Sequence, residues 1–529
     1  MRLKTKLSIL ALTALVALGS CIEFRRPSGG TDKLSEVLQL VGGYYVDTVD
    51  VEDLVEKTIP KVLAELDPHS VYIPAKDAEA VDQDLRGSFS GIGIQFMIQS
   101  DTIYVSDVIS GGPAEKVGLM PGDRIVTIDD SLYVGKIVNN DGAMKRLKGP
   151  KGSEVTLGIK RQGEKGLLSF TIVRGNIPVK SVDATYMIDD RWCYIKANKF
   201  GETTYAEMLI SLAKGMQQDM EGCIIDLRGN TGGYMVAAIQ MVNEFLPKGD
   251  MIVYTEGANS PRYEEYANGR GTCQKLPIVV LVDETSASAS EIFAGAIQDN
   301  DRGTIIGRRT FGKGLVQQSI PFSDGSAVRL TISRYHTPSG RCIQKPYTKG
   351  ENEEYELDLL NRYEHGEFFT QDSIKQDESI AYQTKNGRTV YGGGGIMPDI
   401  FIPEDTTGYT SYYANVSKMR LFIRFPFEYT DKHRQTLSQY TTMDELLQYL
   451  EGQDLVEQFV QYATSKGVKR RNNLIRQSRT LIEELLYGNI IYNVLGMEEY
   501  VKFLNLTDPA VLKAVEILDK GESRPQNQD

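Results

Sequence analysis

Three serines and one lysine form the pattern with the clearest chemical potential. Ser286, Ser288 and Ser290 lie in a run of small residues that opens a predicted helix, and Lys313 follows between two glycines. A serine hydroxyl is a poor nucleophile until a neighbouring base takes its proton. A lysine can be that base where burial keeps its amine neutral. The pattern therefore favours acyl transfer by a serine–lysine pair, as in a serine protease.

The sequence gives weaker support for three other kinds of site: a histidine-based triad, a nucleotide-binding loop and a catalytic metal site. A Ser-His-Asp triad needs a histidine, and the best placed is His336, beside a turn in the predicted core, although a lone histidine more often makes a structural hydrogen bond. Gly307–Lys313 has the spacing of a phosphate-binding loop, but Gly314 stands where that motif requires Ser or Thr for magnesium. No HExxH or comparable cluster in the sequence supports metal catalysis.

The apolar pattern places the serine run in an α/β core. Two continuous apolar stretches, Cys223–Leu227 and Ile278–Val282, are typical of strands buried on both faces. Helical periodicity follows each stretch, over Tyr234–Phe245 and Ala289–Gln298. Ser288 then falls where a strand ends and a helix begins, so the free amides and dipole of the helix N-terminus favour negative charge there.

Five motifs in this core occur together and in one order. They are Asp226–Gly233, the run around Ser288, Thr310–Gly314, Tyr335–Arg341 and Gly395–Asp399. With them the chain resembles the carboxyl-terminal processing peptidases (tail-specific proteases, the S41 serine peptidase family) from about Leu34 to about Pro403. In that family the nucleophile is the middle serine of such a run and the base lies 25 residues on, which selects Ser288 and Lys313. The resemblance implies a crotonase-like ββα protease core and no cofactor.

Oxyanion stabilisation is expected from backbone amides near Ser288. The N–H of Ala289 is the first expected donor, because it sits at the start of the predicted helix. The second is expected from the glycine-rich turn after the first strand, at Gly232 or Gly233, with Gly232 favoured over Gly233. Asp226 and Arg228 are expected to support that turn.

The resemblance also assigns two supporting residues. Gln317 matches a family position that orients the lysine by hydrogen bonding, although a surface glutamine would look the same. Asp299 matches a family position thought to support the site, and a capping or pairing role for this aspartate is equally consistent with the sequence.

Residues 87–175 have a different sequence pattern, with short β-type runs separated by glycines. Pro113–Leu119 and Pro121–Ile125 resemble the PDZ domain of bacterial proteases, a β-barrel-like unit. Its carboxylate-binding loop would comprise Gly91, Ile92, Gly93 and Ile94. Glycines let successive amides face one anion, and the adjoining strand edge can accept a peptide as an added strand. PDZ domains of this family can block the active site until a peptide binds, with Lys148 as the expected sensing position.

The N-terminus has the pattern of an export signal. Arg2, Lys4 and Lys6 precede the apolar run Leu7–Leu18, which is short for a spanning helix. The run ends in a sequence that resembles a bacterial lipobox, so we expect cleavage before Cys21 and acylation of that residue. The alternative is an ordinary signal peptide with an incidental cysteine. Lipidation would anchor the protein to a membrane of the bacterial envelope, facing the periplasm.

The chain has 529 residues and is too long for a single core. We expect an α/β multidomain protein with these segments: signal peptide 1–20, tether 21–30, N-terminal helical region 31–86, PDZ domain 87–175, protease core 176–405 with a surface excursion at 347–390, and C-terminal helical region 406–529. The remaining cysteines, without a zinc-like spacing, are expected to be mostly buried: Cys193, Cys223, Cys273 and Cys342.

The expected function is endoproteolysis of envelope proteins near their C-termini, with the PDZ domain capturing a free terminal carboxylate. The alternative is a non-catalytic PDZ scaffold that presents peptides to another protease, although such a protein would not need Ser288 and Lys313. The net charge of −12 argues against nucleic acid as a partner. The helical regions are candidates for contacts in a homodimer or with an adaptor lipoprotein, and the sequence does not choose between these.

Overall fold

The structure, a computed structural model, describes residues 30–78, 81, 88–99, 101–375 and 377–525. The predicted signal peptide and Cys21 lie outside the described residues, so lipidation stays a prediction. Among the helices that the structure describes, none is long and apolar enough to cross a membrane.

The elements are numbered in chain order. The strands are β1 Val71–Ile73, β2 Ser88–Gly91, β3 Ile94–Gln99, β4 Thr102–Val108, β5 Arg124–Ile128, β6 Ser131–Leu132, β7 Glu154–Lys160, β8 Leu168–Val173, β9 Gly175–Pro178, β10 Val182–Ile188, β11 Trp192–Ala197, β12 Gly222–Asp226, β13 Met251–Gly257, β14 Ser260–Tyr266, β15 Ile278–Val282, β16 Thr304–Gly307, β17 Leu315–Pro321, β18 Ala327–His336, β19 Ala381–Gln383, β20 Thr389–Tyr391 and β21 Ile400–Phe401. The helices are α1 Gly30–Tyr44, α2 Val51–Ala64, α3 Pro113–Lys116, α4 Asn140–Leu147, α5 Thr204–Gln217, α6 Met235–Asn243, α7 Ala289–Asp299, α8 Glu353–Glu356, α9 Asp358–Glu364, α10 Ser411–Lys418, α11 Leu421–Lys432, α12 Arg434–Leu437, α13 Met443–Glu451, α14 Leu455–Ser465, α15 Asn472–Gln477, α16 Arg479–Leu495, α17 Met497–Asn505 and α18 Pro509–Lys520.

A six-stranded sheet forms the centre of the α/β core, in the order β10-β11-β12-β15-β16-β21. β10 runs antiparallel to β11, and the remaining neighbours are parallel. Every residue of β12 and β15 is buried, which confirms the prediction from their continuous apolar sequence. One face packs against α5, α6 and α7, and the other packs against α18, so apolar side chains are required on both sides.

A second sheet is organised around the long strand β18, which pairs with β1, β17 and β13. The pairing with β1 shows that the region 31–86, which was predicted as helical, also contributes a strand. The chain leaves helix α2 after Ala64, turns at Asp67–Ser70, and adds Val71–Ile73 to the edge of this sheet. The turn is held by the Asp67 carboxylate, which accepts hydrogen bonds from the backbone N–H groups of His69 and Ser70.

Strands β3 to β8 form a separate sheet over its own apolar core, with Ile103, Ile125, Leu157 and Ile159 fully buried. The strands β2 and β9, which precede and follow this unit in the chain, pair antiparallel where the chain enters and leaves it. β3 pairs with β4 along one edge, and helix α4 lies beside the cavity along β3. This arrangement has the exposed strand edge that peptide addition needs.

The segment 347–390 is not the simple surface excursion that its polar sequence suggests. Tyr355, Arg362 and Glu367 are buried. The Arg362 guanidinium donates to the carbonyls of Arg309 and Thr310, in the loop that leads to Lys313. An arginine paired with a carboxylate and with carbonyl groups can be buried at modest cost, and composition alone cannot reveal that.

The C-terminal region is helical, as predicted, with its own core of aromatic and aliphatic residues between α10 and α17. Its helices α11 and α16 contact the β3–β8 unit. Tyr492 donates a hydrogen bond to Gln95 at 2.8 Å, and the rings of Phe427 and Tyr104 meet edge to face. These contacts place the helical region beside strand β3. The expected α/β multidomain architecture with helical terminal regions is confirmed.

Candidate active site

Three loops meet at one edge of the central sheet. They follow the carboxyl ends of β12, β15 and β16, which are neighbouring parallel strands. The first loop is the turn Gly229–Gly233, the second carries Ser288, and the third carries Lys313. The carboxyl edge of a parallel sheet is where α/β proteins place their ligands, because successive loops converge there.

Only one serine of the run faces open space. The hydroxyls of Ser286 and Ser290 are fully buried and donate to the carbonyls of Leu227 and Asn230, which ties the serine run to the first loop. Ser288 instead lines a cavity of about 790 Å³. The structure therefore leaves Ser288 as the serine available for attack.

Ser288 has a strained backbone. Its φ of 55° and ψ of −112° lie in a region that residues with a side chain rarely adopt. The sharp turn between β15 and α7 requires this conformation, and it points the side chain into the cavity at the helix N-terminus. The nucleophiles of other hydrolases sit on comparable strand-to-helix turns.

Glu291 joins Ser288 to Lys313, and the sequence analysis missed it. One carboxylate oxygen accepts hydrogen bonds from the backbone N–H groups of Ser288 and Lys313, at 2.8 and 2.9 Å. The other accepts from the Thr310 hydroxyl and the Gly312 N–H, at 2.5 and 2.7 Å. Burial raises the pKa of Glu291 to about 7, against the effect of these hydrogen bonds.

Tyr335 joins the same two residues from the other side. Its hydroxyl donates to the carbonyl of Lys313 and lies 3.2 Å from the carbonyl of Ser288. Glu291 and Tyr335 together fix the peptide units of the nucleophile and the base. A glutamate three residues after Ser288 was the available sequence signal for Glu291, because that spacing returns a side chain to the helix N-terminus.

The Lys313 amine sits in the environment that a general base requires. Burial, followed by the charge of Arg329, lowers the pKa of Lys313 below its ordinary value of 10.5, while Glu291 and Asp67 act in the opposite direction. Lys313 and Ser288 line the same cavity. Within the described residues, no hydrogen bond joins Ser288 Oγ to Lys313 Nζ, so proton transfer requires the two side chains to move closer to each other.

The structure separates the two candidates for the second oxyanion donor. The Gly232 N–H donates to the Asn230 side chain at 2.9 Å, so it is already used. The N–H groups of Gly233 and Ala289 have no acceptor among the described residues. A Cβ at Gly232 would lie 2.8 Å from Ser288 Cβ, which explains why this position is glycine. Gly233 is the better candidate, contrary to the order that the sequence favoured.

Asp226 and Arg228 have the scaffolding role that was predicted. Asp226 is buried and accepts from the Arg228 guanidinium, the Tyr194 hydroxyl and the Lys196 ammonium. Burial alone would raise the pKa of Asp226, but the charges of Arg228 and Lys196 hold it below its usual range. Arg228 also bridges to Asp508 at the start of α18. The pair connects the glycine-rich turn to the back of the sheet.

The predicted peptide groove of the β3–β8 unit is a cavity of about 430 Å³. Its lining includes all four predicted loop residues, Gly91, Ile92, Gly93 and Ile94. Phe89, Phe96, Met144 and Leu147 make the groove apolar. Lys148 lies at its end, with its ammonium 4.5 Å from the centre of the Phe89 ring. One cation in an apolar groove suits a peptide that ends in an apolar residue and a carboxylate.

Sequence comparison adds independent findings. Residues 191–351 match the profile of peptidase family S41, and residues 90–172 match the profile of the PDZ domain. Carboxy-terminal processing protease CtpB of Bacillus subtilis is 35% identical over 317 residues, which cover 59% of this chain and 65% of that protein, just under two thirds of its length. The carboxy-terminal-processing protease of Bartonella bacilliformis is 37% identical over 59% of this chain and 72% of its own length.

The chain belongs to the carboxy-terminal processing proteases of family S41. The predicted family and the predicted PDZ domain are both confirmed. A solved structure, the photosystem II D1 C-terminal processing protease, is 24% identical and covers 70% of this chain and 92% of its own, with a TM-score of 0.36. Residues 412–496 match a family of unknown function, which places the C-terminal helices outside the part described by the peptidase profile.

Gln317 of this family member lines the catalytic cavity but does not contact the base. Its amide donates to Thr331 Oγ1 at 3.3 Å, and Thr331 in turn donates to Asp67. The predicted hydrogen bond to Lys313 is absent from the contacts of the described residues. The reason is the position of Gln317 on β17, beside the turn that precedes β1, and only the paired strands reveal it.

Asp299 is too far from the reaction centre to touch it. It ends helix α7, and eleven residues of helix separate it from Ser288 by roughly 16 Å. There it forms a fully buried ion pair with Arg341 at 2.7 Å and accepts two hydrogen bonds from Ser339. Of the roles left open by the sequence, the structure supports pairing, which holds the turn after β18.

The histidines do not form a triad with Ser288. His336 stacks on Tyr254 and contacts the Gly340 carbonyl, and it is not among the described residues that line the cavity. His69 contacts the Tyr355 hydroxyl at 2.7 Å, and burial together with the charge of Lys313 lowers its pKa to about 4. The described residues also contain no cluster of three or more His, Cys, Asp or Glu side chains that could hold a metal ion.

The four cysteines that the structure describes are free thiols. Cys193, Cys223 and Cys273 are buried in the core, as predicted, whereas Cys342 is half-buried.

Proposed function

We propose that this protease is a serine endopeptidase in which Ser288 is the nucleophile and Lys313 the general base. One observation supports this proposal most strongly. Ser288 and Lys313 line one cavity, and a single buried carboxylate, that of Glu291, holds the backbone of both. Burial, which lowers the pKa of Lys313, favours the neutral amine that the mechanism needs.

The reaction follows from these positions. Lys313 Nζ accepts the Ser288 proton as Oγ attacks the substrate carbonyl, and the amides of Ala289 and Gly233 donate to the resulting oxyanion. Lys313 then protonates the leaving amine, and the acyl-enzyme forms. A water molecule next gives its proton to Lys313 and attacks the ester, which releases the acid and returns the proton to Ser288.

The PDZ groove supplies the proposed selectivity for C-termini. The amides of the Gly91–Ile94 loop bind the terminal carboxylate, and the apolar lining accepts the last side chains. A polypeptide held there by its C-terminus extends towards the cleft, so cleavage occurs at a distance from the end. We propose proteins of the bacterial envelope as the substrates.

The test uses soluble protein that begins after Cys21 and an unstructured polypeptide with an apolar, free C-terminus. Ser288→Ala and Lys313→Ala should each lower kcat by roughly 10⁴-fold or more. Ser411→Ala and Lys418→Ala, which change exposed residues at the two ends of α10, are the matched controls and should cleave normally. Amidation of the substrate C-terminus should raise KM for the unaltered protein.

The outcomes separate the alternatives. Cleavage that survives in Ser288→Ala would show that the nucleophile is wrong. If the unaltered protein binds the free C-terminus but cleaves no peptide, the scaffold alternative gains support over the protease.

Membrane attachment through Cys21 is a separate proposal. It is supported by the lipobox-like sequence that ends the apolar run. A Cys21→Ala full-length protein should lose incorporation of labelled fatty acid and should move from the membrane fraction to the soluble fraction. Equal labelling of both proteins would rule the lipid anchor out. The homodimer and the adaptor lipoprotein stay predictions.

A further inference from the structure

Arg329 is an unpaired guanidinium, among the described residues, in the catalytic cavity. It lies on β18, between Val71 of β1 and Ser319 of β17, and is half-buried. Ala327 and Tyr335 of β18 also line the cavity. Arg329 is close enough to Lys313 for its charge to act on that amine. Its side chain therefore stands beside the reaction centre.

Most other shielded arginines in the described chain have partners, although half-buried Arg424 also has no hydrogen bond or ion pair with a described residue. Most form ion pairs with Asp or Glu at 2.6 to 2.8 Å: Arg161, Arg228, Arg308, Arg309, Arg341, Arg362 and Arg388. Arg174 and Arg302 donate to several carbonyl groups. Arg329 has no hydrogen bond or ion pair with any residue that the structure describes.

The charges around the cavity indicate what Arg329, unpaired among the described residues, could bind. No Asp or Glu is among the described residues that line it, although acidic residues outnumber basic ones by 71 to 59 in the chain. The charge of Arg329 beside Lys313 is unfavourable while the cleft is empty. An anionic group of a bound substrate would compensate for it. A guanidinium is suited to a carboxylate, which it can bind through two parallel hydrogen bonds.

We infer that Arg329 binds a carboxylate group of the substrate, so that the cleft selects peptides with Asp or Glu near the scissile bond. The inference rests on the proposed function, since it assigns a specificity-determining residue to the same cleft. The carboxylate has two sources, an acidic side chain or the free end of a peptide. The PDZ groove already provides a site for the free end, so the acidic side chain is the expected source.

The experiment compares peptides that differ at one residue. A peptide cleaved at a single bond carries Glu, Gln or Lys at each of the three positions on either side of that bond, and its C-terminus is amidated so that the PDZ groove does not contribute. For the unaltered protein, Glu should exceed Gln in kcat/KM by roughly tenfold at one position. Arg329→Gln should remove this preference, and Arg329→Glu should reverse it in favour of Lys.

Two readouts separate specificity from structural damage or an altered base. If the substitution leaves the fold intact, Arg329→Gln should still cleave the Gln peptide. The ratio of the Glu and Gln rates should also be compared at several pH values. A change in the pKa of Lys313 affects both peptides equally and leaves that ratio unchanged. The matched control is Arg334→Gln, which changes an exposed arginine on the same strand and should keep the preference.

The results decide each alternative. Equal rates for Glu and Gln at all six positions, or a preference unchanged in Arg329→Gln, would overturn the inference. A preference seen only for a short peptide with a free C-terminus would assign the terminal carboxylate as the source. Affinities of Ser288→Ala for the Glu and Gln peptides test the same contact without cleavage, so a failure of the proposed reaction is distinguished from a failure of Arg329.

Discussion

The PDZ groove and the catalytic cleft both hold peptide in the proposed function, but they are assembled differently. The groove comes from two short stretches, around Phe89–Phe96 and around Asn140–Lys148, within one small unit. The cleft takes residues from the N-terminal turn, from three loops of the central sheet and from β17 and β18. The groove is apolar with one cation, whereas the cleft contains Lys313 and Arg329. Affinity needs a local apolar surface, while catalysis needs several fixed polar groups.

This contrast predicts that damage to the two sites has different kinetic signatures. A change in the cleft should lower kcat, because it disturbs groups that act in the transition state. A change in the groove should raise KM, because it removes binding energy far from the scissile bond.

After the substitutions of Ser288 and Lys313 themselves, the largest effect is expected for Glu291→Ala. Loss of the carboxylate frees the backbone of Ser288 and Lys313, and a displacement of about 1 Å at a reacting group can cost roughly 10²-fold in rate. We expect kcat to fall by at least that factor while peptide affinity of the PDZ groove is unchanged. Steady-state kinetics and peptide binding measure both quantities. Glu353→Ala, on the short helix α8, is the control, and a normal kcat for Glu291→Ala would contradict the role of Glu291.

The pH dependence should show the second largest effect. Lys313 acts only as the neutral amine, so kcat/KM should rise about tenfold per pH unit until the pKa of Lys313 is reached. Because burial and Arg329 lower this pKa, the rise should end below pH 10.5. In Arg329→Gln one lowering charge is absent, and the rise should end at a higher pH than in the unaltered protein.

A profile that levels off near pH 6.5 in every variant would instead indicate a histidine base. Affinity of the PDZ groove for a free C-terminus should stay nearly constant over the same pH range, which sharpens the contrast between the two sites.

A smaller effect is expected for Met144→Asp in the groove. The added carboxylate removes apolar contact and repels the terminal carboxylate, so KM should rise by roughly tenfold with kcat unchanged. The same substitution at Met419, a partly exposed methionine after α10, should have no effect on either constant. A fall in kcat with constant KM would show that the groove and the cleft are not separate.

The smallest effect is expected for Lys148→Ala. If Lys148 senses the bound terminus, removal of its ammonium should reduce the ratio of peptide-stimulated to basal activity by a few-fold. Basal activity on a short amidated peptide should not change. An unchanged ratio would remove Lys148 from the gating hypothesis, which the structure alone does not test.

Features that depend on neighbouring residues in the chain were predicted more accurately than features that depend on distant residues. The strands β12 and β15, the helix after Ser288 and the glycine loop of the PDZ groove depend on neighbours in the chain, and the sequence predicted them. The partners of Gln317 and Asp299 depend on strand pairing and helix direction, so their predicted contacts with the site were not found.

Contacts between distant parts of the chain were missed for the same reason, even for Tyr335, which begins one of the five motifs. Asp67, Thr331 and Tyr335 reach the site only because β1 and β17 pair with β18. Helix α11 lies in the region that was predicted to be helical, and although Pro426 lies within it, its buried aromatic residues stabilise it through tertiary packing.

The sequence by itself determined the family and the PDZ domain, and it predicted the Ser288–Lys313 pair and the loop of the PDZ groove, because each is carried by residue types at fixed short spacings. The tertiary structure alone decided which amides are free for an oxyanion among the described residues, that Glu291 and Tyr335 join Ser288 to Lys313, and that Arg329 is left without a partner there. Hydrogen bonds and charges act between atoms a few ångströms apart, and folding brings such atoms together from positions that are distant in the chain.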